Sequence, residues 1–349
     1  MLSYRLTILF FIAIAICSYC AEAQGWIRLQ RGQYKVGFKV TREKDTNGKL
    51  FLINIWYPAI EEGKKITLAD YIEIGLINGK EDKPAMLNEF KHTLELPFLY
   101  AIKPVKPGEY NKVTLTIMVA TLNAKMREGR HPLIVMDSEP ASMCITNEWL
   151  AGHGFIVAVP VTDMPPPADD RVLYDAPTNA LSLLLNYMLG QPFIDTANVS
   201  VLGFGGGAQA AFYLAMQNKN IKALVNIEGG FFQPRSKTTL SKDYHPEKFT
   251  IPLLHVVRQE TIEGESKAEF DTLRTSKFRI TILPPEIRHH DFTIYGRVVT
   301  DILKQRGDGA AVSIQAYAEL HSMILHFLQH HEINQAVIRS PGLFNLQKF

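Results

Sequence analysis

The residues of this chain best shaped for chemistry lie in Val199-Ser200-Val201-Leu202-Gly203-Phe204-Gly205-Gly206-Gly207-Ala208, an apolar run that enters a glycine-rich turn and then a helical stretch. Two motifs fit it. Read as G-x-G-x-x-A, at Gly203, Gly205 and Ala208, it is a dinucleotide fingerprint, whose glycines let a pyrophosphate approach the backbone at a helix N-terminus. That motif wants an acid after the next strand. Glu228 stands there, behind Leu224-Val225-Asn226-Ile227. Such a turn usually opens its domain, however, and this one comes after several strands. Read as G-x-S-x-G, the same residues form a strand-to-helix elbow that presents a nucleophile above a sheet. The elbow is cramped, so its flanking positions must be small. Gly203 and Gly207 then follow from sterics alone, without a cofactor, and Gly205 occupies the place of the serine.

Other residue types could do chemistry but are poorly placed for it. Cys144 opens a helical stretch, whose N-terminus could lower a thiol pKa, yet a lone cysteine usually packs in a core. His326 and His330 are four apart on the last helical stretch, near His321, His331 and Glu332. Histidines at i and i+4 can chelate zinc. Here no third ligand is fixed by spacing, so a solvated helix face is expected and no metal is implied. His153 precedes Gly154 at a helix end, where a cation suits the dipole and glycine suits the cap. Asp163 and Pro165-Pro166-Pro167 read as a stiff rim.

The elements that must position these residues follow from apolar patterning. Tyr34–Thr41 and Leu50–Tyr57 are β-rich, with turn chemistry between them at Asp45-Thr46-Asn47-Gly48, and read as an antiparallel hairpin. Residues 60–112 are charged and mixed, with helices expected near Thr67–Leu76 and Pro84–Leu94. They read as an insertion or cap-like segment. From His131 onward, apolar runs alternate with helical stretches. The runs are Leu133–Met136, Phe155–Val159, Val199–Leu202, Ala223–Ile227, Ile251–Val257 and Phe278–Leu283. The helical stretches lie near Ala141–Ala151, Tyr174–Met188, Gly207–Gln217, Ser266–Thr275 and Ala311–His330. Unbroken apolar strands are strands covered on both faces. The alternation implies right-handed crossovers and an α/β fold with a mostly parallel sheet, whose sites lie at the carboxyl ends of the strands.

With these elements in order, the sequence resembles the platelet-activating-factor acetylhydrolase and dienelactone hydrolase branch of the α/β-hydrolases. The resemblance runs through Val36-Gly37-Phe38, Trp56-Tyr57-Pro58, Ala69-Asp70-Tyr71, His131-Pro132-Leu133-Ile134-Val135 and Leu150-Ala151-Gly152-His153-Gly154-Phe155. It continues through the elbow, Ile227-Glu228-Gly229-Gly230 and His289-His290-Asp291-Phe292. It implies an α/β-hydrolase fold and a triad in the order nucleophile, acid, histidine. Gly205 falls at the nucleophile, Glu228 at the acid and His289, in a His-x-x-Phe pattern, at the histidine, with His290 its competitor. The resemblance implies that the family's oxyanion-binding positions align with Ser138-Glu139 and with Gly206, which follows the nucleophile position.

The chemistry implied is therefore incomplete. A serine hydrolase needs an oxygen that attacks a carbonyl after giving its proton to histidine, and glycine has none. The loop that should stabilise an oxyanion carries a carboxylate, Glu139, whose charge opposes the one it would have to stabilise. Three readings remain open. In one, the protein is catalytically impaired and binds a small-molecule ligand or a protein partner in the old pocket. In another, His289 and Glu228 activate a water for weak or altered ester hydrolysis. In the third, Gly203, Gly205 and Ala208 hold a dinucleotide. The family reading itself implies no cofactor.

Composition narrows the remaining classes. Lys and Arg total 37 against 35 Asp and Glu, with the signs scattered, so the basic stripe of a nucleic-acid binder is missing. With 46% hydrophobic residues in 349, the chain can bury a core. Residues 1–23 read as a signal peptide: Arg5, the apolar run Leu6–Cys17, and an Ala21-Glu22-Ala23 cleavage box. The run is too short for a comfortable membrane span. Cleavage removes Cys17 and Cys20 and leaves Cys144 without a disulfide partner. The expectation is an exported protein, periplasmic or secreted, with one hydrolase-like domain over residues 24–349 and no transmembrane span after cleavage.

Overall fold

The computed structural model describes residues 29–44, 48, 50–74, 83–96, 103–137, 141–161, 172–229, 244–263 and 267–349. The expected signal peptide, the turn residues 45–47, Ser138, Glu139, Asp163 and Pro165–Pro167 lie outside them.

The strands are β1 (Lys35–Lys44), β2 (Leu50–Ala59), β3 (Lys64–Thr67), β4 (Ile117–Leu122), β5 (His131–Asp137), β6 (Ile156–Val161), β7 (Ile194–Phe204), β8 (Ala223–Ile227), β9 (Leu253–Arg258), β10 (Lys277–Ile282) and β11 (Phe344–Lys348). The helices are α1 (Leu68–Glu73), α2 (Lys83–Leu94), α3 (Pro107–Thr114), α4 (Cys144–Gly152), α5 (Val172–Leu189), α6 (Gly207–Gln217), α7 (Gln259–Ile262), α8 (Lys267–Thr272), α9 (Ile294–Arg297) and α10 (Ala310–His330). One sheet runs β11-β10-β9-β8-β7-β5-β6-β2-β1-β4-β3. Strands β6, β5, β7, β8, β9 and β10 are mutually parallel, while β2 joins β6 antiparallel and β11 joins β10 antiparallel.

The hairpin forms in the expected place, with Lys35 opposite Ala59 and Lys44 opposite Leu50. Within residues 60–112, β3 reaches the sheet edge by pairing with β4, and Leu68, Tyr71, Phe90 and Val105 enter the main core. Strands β3, β4 and β11 were not expected from the sequence. Two lysines in β3 and three polar residues in β11 hide the strand pattern, because edge strands need only one apolar face.

Strand β5 shows why the sheet is covered twice. Ile134 and Met136 join one core layer with α4 and α10, while Leu133 and Val135 join the other with α5 and α6. Alternate side chains of a strand point to opposite faces, so a run apolar at every position needs helices on both sides. The chain leaves β5 for β6 on one side and returns to β7 on the other. That reversal opens a crevice at the carboxyl ends of β5 and β7, the position favoured for sites in such sheets.

Candidate active site

The elbow after β7 is built by three close approaches. A Cβ at Gly203 would stand 2.3 Å from the Ala208 Cα, and one at Gly207 would stand 2.3 Å from the Asp137 carbonyl oxygen at the end of β5. Neither distance admits a side chain, so both glycines follow from α6 turning back tightly over the strand ends. Gly205 differs. Its φ is +54°, the left-handed conformation in which a side chain is strained. Its amide donates to the Ile227 carbonyl at 3.0 Å. A Cβ there would point at His289, 3.3 Å from Nε2 and 3.5 Å from Cε1.

Glu228 follows β8, also at positive φ (52°), with its amide donating to the Val256 carbonyl. Its carboxylate is buried and crowded with donors. The Arg258 amide reaches Oε1 at 2.6 Å and the Arg258 Nε reaches Oε2 at 2.7 Å. The Thr261 hydroxyl lies 3.2 and 3.3 Å from the two oxygens, and His289 Nδ1 reaches Oε2 at 3.3 Å. Burial pushes this carboxyl up, but the His289 bond and the Arg258 guanidinium outweigh it and hold the pKa at about 2.

His289 is fixed by a short turn, His289–Phe292. Phe292 is buried beneath it. Asp291 accepts from the Arg288 amide at 2.7 Å and pairs with Arg306 at 2.9 Å. The imidazole packs on Phe204, ring centroids 4.6 Å apart. His290, the competing candidate, lies with its ring edge-on to that of His289, centroids 5.0 Å apart. Its ring meets Tyr295 edge-on at 6.3 Å, and Tyr295 stacks on Phe90 of α2 at 5.1 Å. Burial, then the neighbouring His289, pushes the His290 pKa down to about 4. The structure thus brings Gly205, Glu228 and His289 together and leaves His290 to the packing beside them.

The other candidates fall into place around this cluster. Gly206 caps α6 with open space beside it, and Ala208 is buried. Cys144 is buried, and burial together with Glu148 pushes its thiol up, opposite to the lowering expected from its helix N-terminus. His321 is buried, its Nδ1 against the Tyr317 carbonyl and its Nε2 against the Thr146 hydroxyl. His326 and His330 meet ring to ring on α10, centroids 4.4 Å apart. His153 sits at the end of α4 against the Trp149 carbonyl at 2.7 Å. Among the described residues, no group of three or more His, Cys, Asp or Glu could hold a metal ion, and no helix is long and apolar enough to cross a membrane.

The sequence reading missed Arg258 and Thr261. Arg258 is the first residue beyond the apolar run of β9, a strand end where functional side chains were to be sought. Its partner Glu228 lies 30 residues earlier, so spacing alone does not join them.

Comparison with known proteins bears on the fold. Residues 184–279 match the family described as BAAT / acyl-CoA thioester hydrolase C terminal. That stretch holds the elbow, Glu228 and Arg258, and ends before His289. A ferulic acid esterase from Streptomyces cinnamoneus superposes with a TM-score of 0.60 over 90% of this chain and 95% of its own, at 14% identity. The fold is that of an α/β-hydrolase. No curated protein matches the sequence.

Proposed function

We propose that this α/β-hydrolase-fold protein keeps the acid and imidazole of an ester hydrolase but forms no acyl-enzyme, and that its pocket binds a small-molecule ligand or a protein partner. One observation carries the reading. The backbone at position 205 adopts the strained conformation of a nucleophile elbow and directs its Cα–H toward Nε2 of His289, yet the residue has no side chain. Loss of the nucleophile in a serine protease triad costs on the order of 10⁶ in turnover. The dinucleotide reading is disfavoured by the same geometry. His289 stands over the turn, and Glu228 gives both oxygens to Arg258, Thr261 and His289, leaving none for a ribose.

A second reading, water-based ester hydrolysis, draws support from His289. Its Nδ1 faces a carboxylate that can only accept, so in the neutral ring Nδ1 carries the proton and Nε2 is a base. The apolar run Leu6–Cys17 and the Ala21-Glu22-Ala23 box support export with cleavage after Ala23. The test is turnover of p-nitrophenyl acetate, a feruloyl ester and an acetyl thioester by residues 24–349, beside Gly205→Ser and His289→Ala. No turnover in the wild type, with activity gained in Gly205→Ser, is expected. Wild-type esterase activity lost in His289→Ala would favour the water reading instead.

A further inference from the structure

The same position says what kind of group a ligand must bring to it. A Cβ at Gly205 would meet only His289 within 4 Å among the described residues beyond its chain neighbours, and one at Gly206 would meet nothing. Among the described residues, nothing else closes on the space beside Nε2. His289 is fixed by the Asp291–Arg306 pair and by Phe204, and Nε2 has no partner among the described residues. Its side chain is 34% exposed, so a small molecule can reach it.

The chemistry of that nitrogen follows from the other side of the ring. With the ring neutral, Nδ1 donates to the Glu228 carboxylate, which leaves a lone pair on Nε2. Arg258 already balances the charge of Glu228 at 2.7 Å, so the pair below the ring carries no net charge to attract a cation. An acceptor aimed at open space with a neutral base beneath it asks for a neutral hydrogen-bond donor. Phe204 beside it offers an apolar wall to a carbon skeleton.

Resting on the proposal that position 205 supplies no nucleophile, we propose that the space over Gly205 is a hydroxyl site. A neutral alcohol ligand places its O–H where the chain has no side chain and donates to Nε2 of His289. Ligands that offer only acceptors there are refused, because two lone pairs would then face each other.

The experiment compares 2-propanol with acetone, which share a carbon skeleton but differ in the donor. Side-chain nitrogens of ¹⁵N-histidine-labelled protein are observed by NMR during each titration. The titrations are run with the His289 ring neutral, where Nδ1 carries the proton and Nε2 is the acceptor. 2-Propanol is expected to shift its Nε2 signal saturably, and acetone is expected to leave it in place. Gly205→Ala, which fills the space with a methyl group, is expected to abolish the response, and Gly342→Ala, outside the site and with no described atom within 4 Å of the added Cβ, to preserve it. Equal shifts with both solvents, no shift with 2-propanol, or an undiminished response in Gly205→Ala would overturn the site. Failure of the underlying reading is seen separately, as a His289-dependent acyl adduct on a serine, threonine or cysteine of the wild-type chain after exposure to p-nitrophenyl acetate.

Discussion

Two buried glutamates show how differently this fold can treat one kind of side chain. Glu228, at the strand ends, lies against the guanidinium of Arg258 and is held at a pKa of about 2. Glu148, in the middle of α4, meets no cation in its hydrogen bonds. It accepts from the Tyr71 hydroxyl and the Ala120 amide, each at 2.8 Å, and from the Val119 amide at 3.1 Å. Burial outweighs those three neutral donors and raises its pKa to about 7. Neutral donors thus suffice to tie α1, α4 and β4 together, with Trp56 donating to the same Tyr71 oxygen, but not to offset desolvation. At Glu228 the His289 bond and a permanent cation together do offset it. The carboxylate beside the imidazole has that cation, and the carboxylate in the scaffold does not.

The sharpest way to break this contrast is to remove the cation. Arg258→Met leaves Glu228 with His289, Thr261 and the backbone amide of residue 258, and breaking a buried pair from one side costs about 3–5 kcal/mol. Urea unfolding at pH 7 should show that loss, and the Glu228 pKa should rise when followed by carboxyl NMR.

The two carboxylates should also give stability opposite dependences on pH. The Glu228 pKa is depressed from 4.5 to about 2. Its contribution is therefore present above about pH 4.5 and is lost as pH falls toward 2, a span worth about 3 kcal/mol. The Glu148 pKa is raised from 4.5 to about 7. Stability tied to its protonated form is present below about pH 4.5 and is lost as pH rises through 7, by a similar amount of about 3 kcal/mol. Denaturation midpoints measured from pH 2 to 9 should fall on both sides. Glu228→Gln should flatten the acid arm alone, and Glu148→Gln the alkaline arm alone.

The smallest effect sharpens the scaffold side. Tyr71→Phe removes one donor from Glu148 and the acceptor of Trp56, at a cost of about 1–3 kcal/mol. It should move the alkaline arm to higher pH and leave the acid arm unchanged. A shift in both arms would mean that the two glutamates are coupled.

Much of the catalytic-edge geometry was legible in the sequence, and little of the Glu148 network was. Gly203, Gly207, Glu228 and His289 each follow an element that the apolar pattern marks, and the elbow's sterics dictate its glycines. The choice of His289 over His290 was not legible, because it depends on which ring the Phe292 and Asp291 anchors turn toward Gly205. The network was hidden for a different reason. Its bonds join residues 15 and 77 apart in sequence, and Glu148 sits within an ordinary helical pattern where a carboxylate is expected to face water. Arg258 lies between these cases: its place at a strand end was marked, but its role depends on a partner that only the folded sheet brings near.

The central claim, that the chain carries an elbow without a nucleophile, is tested most directly by intact-protein mass spectrometry after exposure to p-nitrophenyl acetate. The wild type is predicted to gain no acetyl group that depends on His289. The Gly205→Ser variant is predicted to gain one, located at position 205 and lost in the double variant with His289→Ala. A His289-dependent acetyl adduct on any serine, threonine or cysteine of the wild-type chain would contradict the account.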